Sequence, residues 1–383
     1  MKLRLMFLLT MPAVLAVAPV AASAQSLSTE AQQLWDVVSC KTEKPAVDVP
    51  NYAKYCKLLA AEQATYQQRV GEKAKVFFKD KRPTDLPTTE LYPFSGADVV
   101  SSLAAYPDAT TYVHISLEQA GPPDRLSAIK PAQRRTGLDG LLSVMRGLFQ
   151  KGNSTSVSLR AALEEAIPGV LPMYLVGIDT YGGTVTGLRY FDIDPNGEIV
   201  YLDATGGADK KMAKKLDPRW VPPPFEARYA NVEISFSVPW DTRPRVLRHL
   251  AANLDDEHMK QLPGIGAFLK KLGTVSYLTK AAHYLLWRDD FTIIRDIGLA
   301  QAAFIVQDSS GYGIDQLPDT GWEVKAYGKF ACDYLKLRGY GRKGDQRSLD
   351  LAKFFKGAPE LGFRFGYPDC KGQHHVMLAK RKK

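Results

Sequence analysis

The chain has 383 residues, 45% of them hydrophobic and 24% charged, with a formal net charge of +9. That balance is typical of a globular protein with apolar material for one large core or two ordinary ones. Part of the positive charge lies in the tail Ala379–Lys383, and no basic stripe interleaved with aromatics accompanies it, which speaks against nucleic-acid binding.

Residues 1–24 read as a secretion signal. Lys2 and Arg4 precede an apolar stretch that closes on Ala22-Ser23-Ala24, a small-x-small cleavage site. Pro12 and Pro19 and the short apolar length argue against a membrane anchor, and no later segment is long and apolar enough to span a bilayer. The expected location is therefore periplasmic or secreted. The cysteines Cys40, Cys56, Cys332 and Cys370 contain no C-x-x-C pair, which argues against zinc or thioredoxin-like chemistry. In an oxidising compartment they suggest two disulfides, with three possible pairings. The local pairing, Cys40–Cys56 and Cys332–Cys370, would staple the two ends of the chain.

Residues 25–80 form an N-terminal helical segment. Ser28 followed by Glu30 marks a helix start, and Tyr66, Val70, Ala74 and Phe77 make one stripe on a second helix. A polar, proline-bearing linker follows at Lys79–Glu90.

The first α/β half, 88–204, opens with a strand in "ELYPF", a helix in "ADVVSSLAAY" and a strand in "TTYVHISLE". Strand, helix and strand in so short a span are a βαβ unit with parallel pairing. "GPPDRLSAIKPAQRR" reads as a loop, Leu138 to Phe149 as a helix with one apolar face, and "SVSLRAALEEAI" as another helix. Strands are expected at about Met173–Thr180, Thr184–Ile193 and Glu198–Leu202, joined by short turns into a meander. The basic, proline-rich stretch 205–230 is the candidate boundary. The second half, 231–383, begins with the strand "NVEISFSV" and continues with a helical block from about Arg243 to Asp296, broken near Pro263-Gly264 and Gly273. "AAFIVQ" is a buried strand, "EVKAYGKF" and "GFRFGYP" are strand-like, "SLDLAKFFK" is helical, and "HHVMLAKRK" is a closing strand. The fold class is α/β: a mixed sheet with a βαβ unit and a β-meander, flanked by helices and preceded by an N-terminal helical pair.

Two strand-end loops hold the candidate site residues, because ligands of open α/β sheets sit at the carboxyl ends of strands. The first is Tyr92-Pro93-Phe94-Ser95-Gly96-Ala97-Asp98, with His114 and Glu118 arriving from the neighbouring strand. The second is Asp308-Ser309-Ser310-Gly311. Ser95 and Asp98 also fit a capping box, in which Ser95 accepts from the Asp98 amide at the head of the next helix. The nucleophile elbow of hydrolases is absent, since position 93 is proline. Glu118 falls near the spacing of a ribose-binding acid, but a single glycine cannot replace G-x-G-x-x-G, so no cofactor is assigned.

"DIDPNGEIVYLD" matches a calcium-loop template at Asp192, Asp194, Asn196, Gly197 and Asp203, yet its strand-like flanks make Asp194-Pro195-Asn196-Gly197 a hairpin turn. His374 and His375 point to opposite faces of a strand, His249 and His258 lack metal-pair spacing, and His283 reads as a core residue. No metal site is expected.

"YPFSGADVVSSLAAYPDATTYVHISLE", "FIVQDSSGYG" and "YGKF" together resemble an uncharacterised group of secreted bacterial proteins with a YPFSG-type motif. The resemblance implies export but no activity, and it carries over no catalytic residue. The expectation is an exported, soluble α/β protein that binds a ligand or an envelope component at its strand-end loops. One alternative is a hydrolase-like enzyme using Ser95, Ser309 or Ser310 with Asp98, Glu118, His114 or Asp308. The other is a purely structural envelope protein. All turn on whether the two loops meet.

Overall fold

The structure, a computed structural model, describes residues 27–152, 169–202, 227–330, 349–369 and 371–382. The expected signal segment 1–24, the helix expected at "SVSLRAALEEAI", most of the candidate boundary stretch 205–230 and the expected Cys332–Cys370 pairing lie outside the described residues.

Two helices open the fold, α1 (Thr29–Val38) and α2 (Tyr52–Tyr66). Ser28 caps α1 by accepting from the Ala31 amide. Cys40 and Cys56 form a disulfide that ties the end of α1 to α2, and the Tyr55 hydroxyl donates to the Val38 carbonyl at 2.7 Å. A π turn, Gln67–Gly71, joins α2 to α3 (Glu72–Lys81). It has a packing consequence. Tyr66, Val70, Ala74 and Phe78 are buried at four-residue steps, which would drift around a regular α-helix, and the wider π turn keeps them on one face. Phe78 therefore takes the fully buried place expected of Phe77.

Ten strands form one mixed sheet: β1 (Thr89–Tyr92), β2 (Thr111–Ser116), β3 (Thr184–Ile193), β4 (Ile199–Tyr201), β5 (Asn231–Val238), β6 (Asp241–Ala251), β7 (Val275–Thr279), β8 (Ala302–Gln307), β9 (Trp322–Gly328) and β10 (His375–Arg381). Their order is β4-β3-β5-β6-β2-β1-β7-β8-β10-β9. The central run β6-β2-β1-β7-β8 is parallel throughout, and both flanks are antiparallel. Strands from either side of the 205–230 stretch thus share one sheet.

Among the described residues the other α-helices are α4 (Val99–Ala105), α5 (Arg125–Ala128), α6 (Pro131–Lys151), α7 (Leu171–Thr180), α8 (Asp256–Gln261), α9 (Pro263–Lys271) and α10 (Thr292–Gln301), with a further helical turn at residues 349–354. Alternate residues of each central strand enter opposite cores, as the two-residue period of a strand requires. Tyr92, Tyr112, Leu278 and Val306 join the face covered by α1–α4, α6 and α7. Leu91, Val113, Tyr277 and Ile305 join the face covered by α8–α10.

Several sequence-based expectations are corrected. Met173–Thr180 belongs to α7 rather than a strand. Nearly every residue of this helix is buried, so its sequence has no polar face to display a helical period. The block from Arg243 to Asp296 contains two strands. In β6 the buried positions alternate as Arg245, Leu247 and His249, and the polar identity of two of them hides the period. β7 is fully buried and lacks alternation altogether. "GFRFGYP" forms no strand. Phe363 and Phe365 instead pack against Phe77 and Phe78, with ring centroids 5.4 and 5.6 Å apart respectively. "GPPDRLSAIKPAQRR" contains α5 and the start of α6. Asp194-Pro195-Asn196-Gly197 is the expected hairpin turn between β3 and β4, with Gly197 at φ +82° and the Asp194 carboxylate accepting from the Asn196 and Glu198 amides.

Candidate functional site

The parallel run brings the loops after β2, β1, β7 and β8 to one edge of the sheet. Two non-glycine residues in these loops have left-handed backbones, Phe94 at φ +53° and Ala281 at φ +63°. Such conformations cost free energy and persist only where the surroundings impose them.

Asp98 and Lys280 join the β1 and β7 loops. Their ion pair is 2.5 Å long, and the two side chains are 4% and 2% exposed. Asp98 also caps α4 by accepting from the Ser101 amide at 3.1 Å, and it accepts from the Tyr92 hydroxyl at 3.2 Å. Lys280 donates in addition to Ser101 Oγ. The cap of α4 is thus Asp98, not Ser95. Ser95 turns towards β2 instead: its amide donates to the Ile115 carbonyl at 2.9 Å, and its hydroxyl lies 3.4 Å from the same carbonyl and 3.2 Å from that of Gly96. Phe94 and Gly96, both at positive φ, turn the chain so that the helix begins only at Val99.

Asp308 organises the β8 loop. It accepts from the Ala281 amide at 3.0 Å, the Tyr367 amide at 2.7 Å, the Ser310 amide at 2.8 Å and the Ser310 hydroxyl at 2.5 Å. Gly366 passes so close that a side chain there would strike the Asp308 carboxylate. The Ser309 amide donates to His375 Nε2 at 3.0 Å. The YPFSG and Asp308 loops are therefore brought together through a third loop: Asp98 fastens on Lys280, and Asp308 on its neighbour Ala281.

His114 lies beside Ser102, not beside a candidate serine. Its Nε2 is 2.9 Å from Ser102 Oγ and 3.5 Å from Glu90 Oε2, and all three side chains are fully buried. A catalytic triad needs its acid and its serine on opposite ring nitrogens. Here both approach the same one. Tyr174 places its hydroxyl 2.8 Å from the Gly96 carbonyl and 3.1 Å from His249 Nδ1, and His249 Nε2 donates to the Glu118 carbonyl at 2.8 Å. Burial pushes the His249 pKa down to about 3 and that of His283, which backs the Lys280 loop, down to about 4. Neither oxygen of the Glu118 carboxylate has a hydrogen-bond partner among the described residues, and the side chain of Gln119 is likewise unpartnered. Among the described residues no group of three or more His, Cys, Asp or Glu side chains could hold a metal ion.

The polar cluster backs onto a cleft. A concavity of about 580 Å³ lies between the π turn, the end of α6 and residues 360–364, with Gln373 and His374 on its wall. A smaller cavity of about 20 Å³ is lined by Ser101, Lys280 and Phe365, and it shares Tyr66, Val70, Phe149 and Arg364 with the cleft. The Lys280 amine sits 5.5 Å from the centre of the Phe365 ring. Ser101 and Lys280 line the smaller cavity; Ser95, Asp98, His114, Asp308, Ser309 and Ser310 line neither it nor the cleft.

Sequence reasoning did not single out Lys280, Ser101 or the cleft. The available signal was a lone lysine in the apolar run "SYLTKAAHYLLW", obscured by the helical assignment of that stretch. No protein-family model, no curated protein and no solved structure matches this chain.

Proposed function

We propose that the protein is an extracytoplasmic binding protein that takes a small ligand into the cleft beside the π turn, with Ser101 and Lys280 at its inner end. The observation that carries this reading is the sharing of four lining residues between the open cleft and the cavity over the buried Asp98–Lys280 pair. The cleft volume lies in the range that small-molecule sites occupy. A buried, ion-paired lysine on a cavity wall gives a ligand a directional donor at low reorganisation cost. The Cys40–Cys56 disulfide and the leader-like first 24 residues support an oxidising compartment.

A thermal-shift screen of the chain from Gln25 onward, with and without Gly362→Trp, tests the proposal. Gly362 lines the cleft, and a Cβ there meets no atom within 4 Å, so the substitution puts an indole at the cleft wall without a backbone clash. Ligands that raise the melting temperature of the parent chain should fail to raise that of the variant. Stabilisation that survives the tryptophan, or a screen without ligands, would defeat the reading.

The hydrolase alternative rests on Ser101 rather than on Ser95, Ser309 or Ser310, because Lys280 donates to the Ser101 hydroxyl on a cavity wall. A serine-directed fluorophosphonate that labels the parent chain and not Ser101→Ala would shift the assignment to an enzyme.

A further inference from the structure

We infer that the ligand is an anionic amphiphile, an acidic head on an apolar body; this rests on the cleft being the binding site. The charges of the cleft are unevenly committed. Its carboxylates are occupied: Glu62 accepts from Arg146 at 2.6 Å, and Glu360 pairs with Lys329 at 3.0 Å. Arg69 and Lys73 also line the cleft, and neither forms an ion pair among the described residues. Arg364 uses one guanidinium nitrogen on the Gln150 carbonyl at 2.6 Å and has no carboxylate partner there either.

Arg69 lies within the π turn and Lys73 four residues on, so both project over the same wall as Tyr66 and Val70. Cations gathered in a concavity repel one another, and an anion relieves that repulsion while gaining charge-assisted hydrogen bonds. A guanidinium fork matches the oxygens of a phosphate or carboxylate.

The floor is different in kind. Tyr66, Val70, Phe149 and Phe363 line it, and the Tyr66 and Phe149 rings pack tilted against each other with centroids 4.9 Å apart. A bare inorganic anion would leave that surface wet. A neutral apolar molecule would leave the cations unanswered. A phosphate or carboxylate head with a short alkyl or ring body satisfies both walls. Lipid head groups and free acidic metabolites share this chemistry.

Calorimetric titration of the chain from Gln25 onward with octyl phosphate, octanol and inorganic phosphate tests the inference. Octyl phosphate should bind at least about tenfold tighter than either of the others. Arg69→Gln with Lys73→Gln, both exposed positions, should weaken octyl phosphate about tenfold and leave octanol unchanged. Equal affinity for octanol and octyl phosphate would overturn the acidic head while leaving the cleft as a binding site. Octyl phosphate binding that survives both the double variant and Gly362→Trp would place the ligand elsewhere and overturn the inference. Failure of all three probes would overturn it as well, while hits in the thermal-shift screen would keep the binding reading. Competition by phosphatidylglycerol vesicles distinguishes a lipid source from a free anion.

Discussion

Removing the Lys280 amine would leave the Asp98 carboxylate almost wholly buried and without its counter-ion. Breaking one side of such a pair costs about 3–5 kcal/mol, whereas replacing both partners by neutral groups costs far less. Lys280→Met is therefore expected to lower the urea midpoint sharply, and Asp98→Asn with Lys280→Met to recover most of the loss. Equal destabilisation by the single and double variants would show that the pair does not act as a unit. The same residues show where sequence reading reaches its limit. Ser95 and Asp98 both satisfy a capping pattern, and choosing between them depends on the left-handed turns at Phe94 and Gly96, which composition does not encode for a phenylalanine. Asp308 was legible as a polar strand-end residue. Its role was not, because three of its donors are backbone amides and one of those comes from Tyr367, far along the chain.

The βαβ unit was legible although β1, α4 and β2 are almost wholly buried, because the turns at 93–98 and 107–110 set its elements apart; so were the apolar face of α6 and the β3–β4 hairpin with its Asp-Pro-Asn-Gly turn. α7 and β7 were not legible, because neither shows the period of its own structure when nearly every position is buried. The N-terminal pair was legible from its cysteines as well as its pattern. Cys40 and Cys56 are 16 residues apart, and closing a loop of that size in the unfolded chain contributes about 3 kcal/mol. Replacing both by serine should lower stability by up to that amount, read as a shift of the denaturation midpoint that reductant reproduces in the parent chain. An unchanged midpoint would mean that the shared apolar core and the Tyr52 and Tyr55 hydrogen bonds hold α1 and α2 without the disulfide.

Across the whole molecule, buried histidines couple the fold to pH. Burial holds His249 at about 3 and His283 at about 4, against an ordinary value of 6.5. The unfolded chain binds these protons as pH falls through 6.5, and the folded chain does not until much lower. Stability is therefore complete above about pH 7 and declines through the window below it, by about 2 kcal/mol per histidine at pH 5. Urea midpoints at pH 7.5 and pH 5 measure the effect, and a flat profile would contradict it.

The strand order has a further consequence for how the chain is made. β1–β2 and β3–β4 are complete as pairs before residue 203, yet they are not neighbours in the sheet; the β5–β6 hairpin sits between them, and β7 closes against β1. A nascent or truncated chain that stops after β4 holds two small ribbons with open edges and nothing to join them. Such edges are templates for pairing with other copies. The β5–β6 hairpin is the keystone, and a chain delivered from its N-terminus must keep its early strands apart until that hairpin arrives.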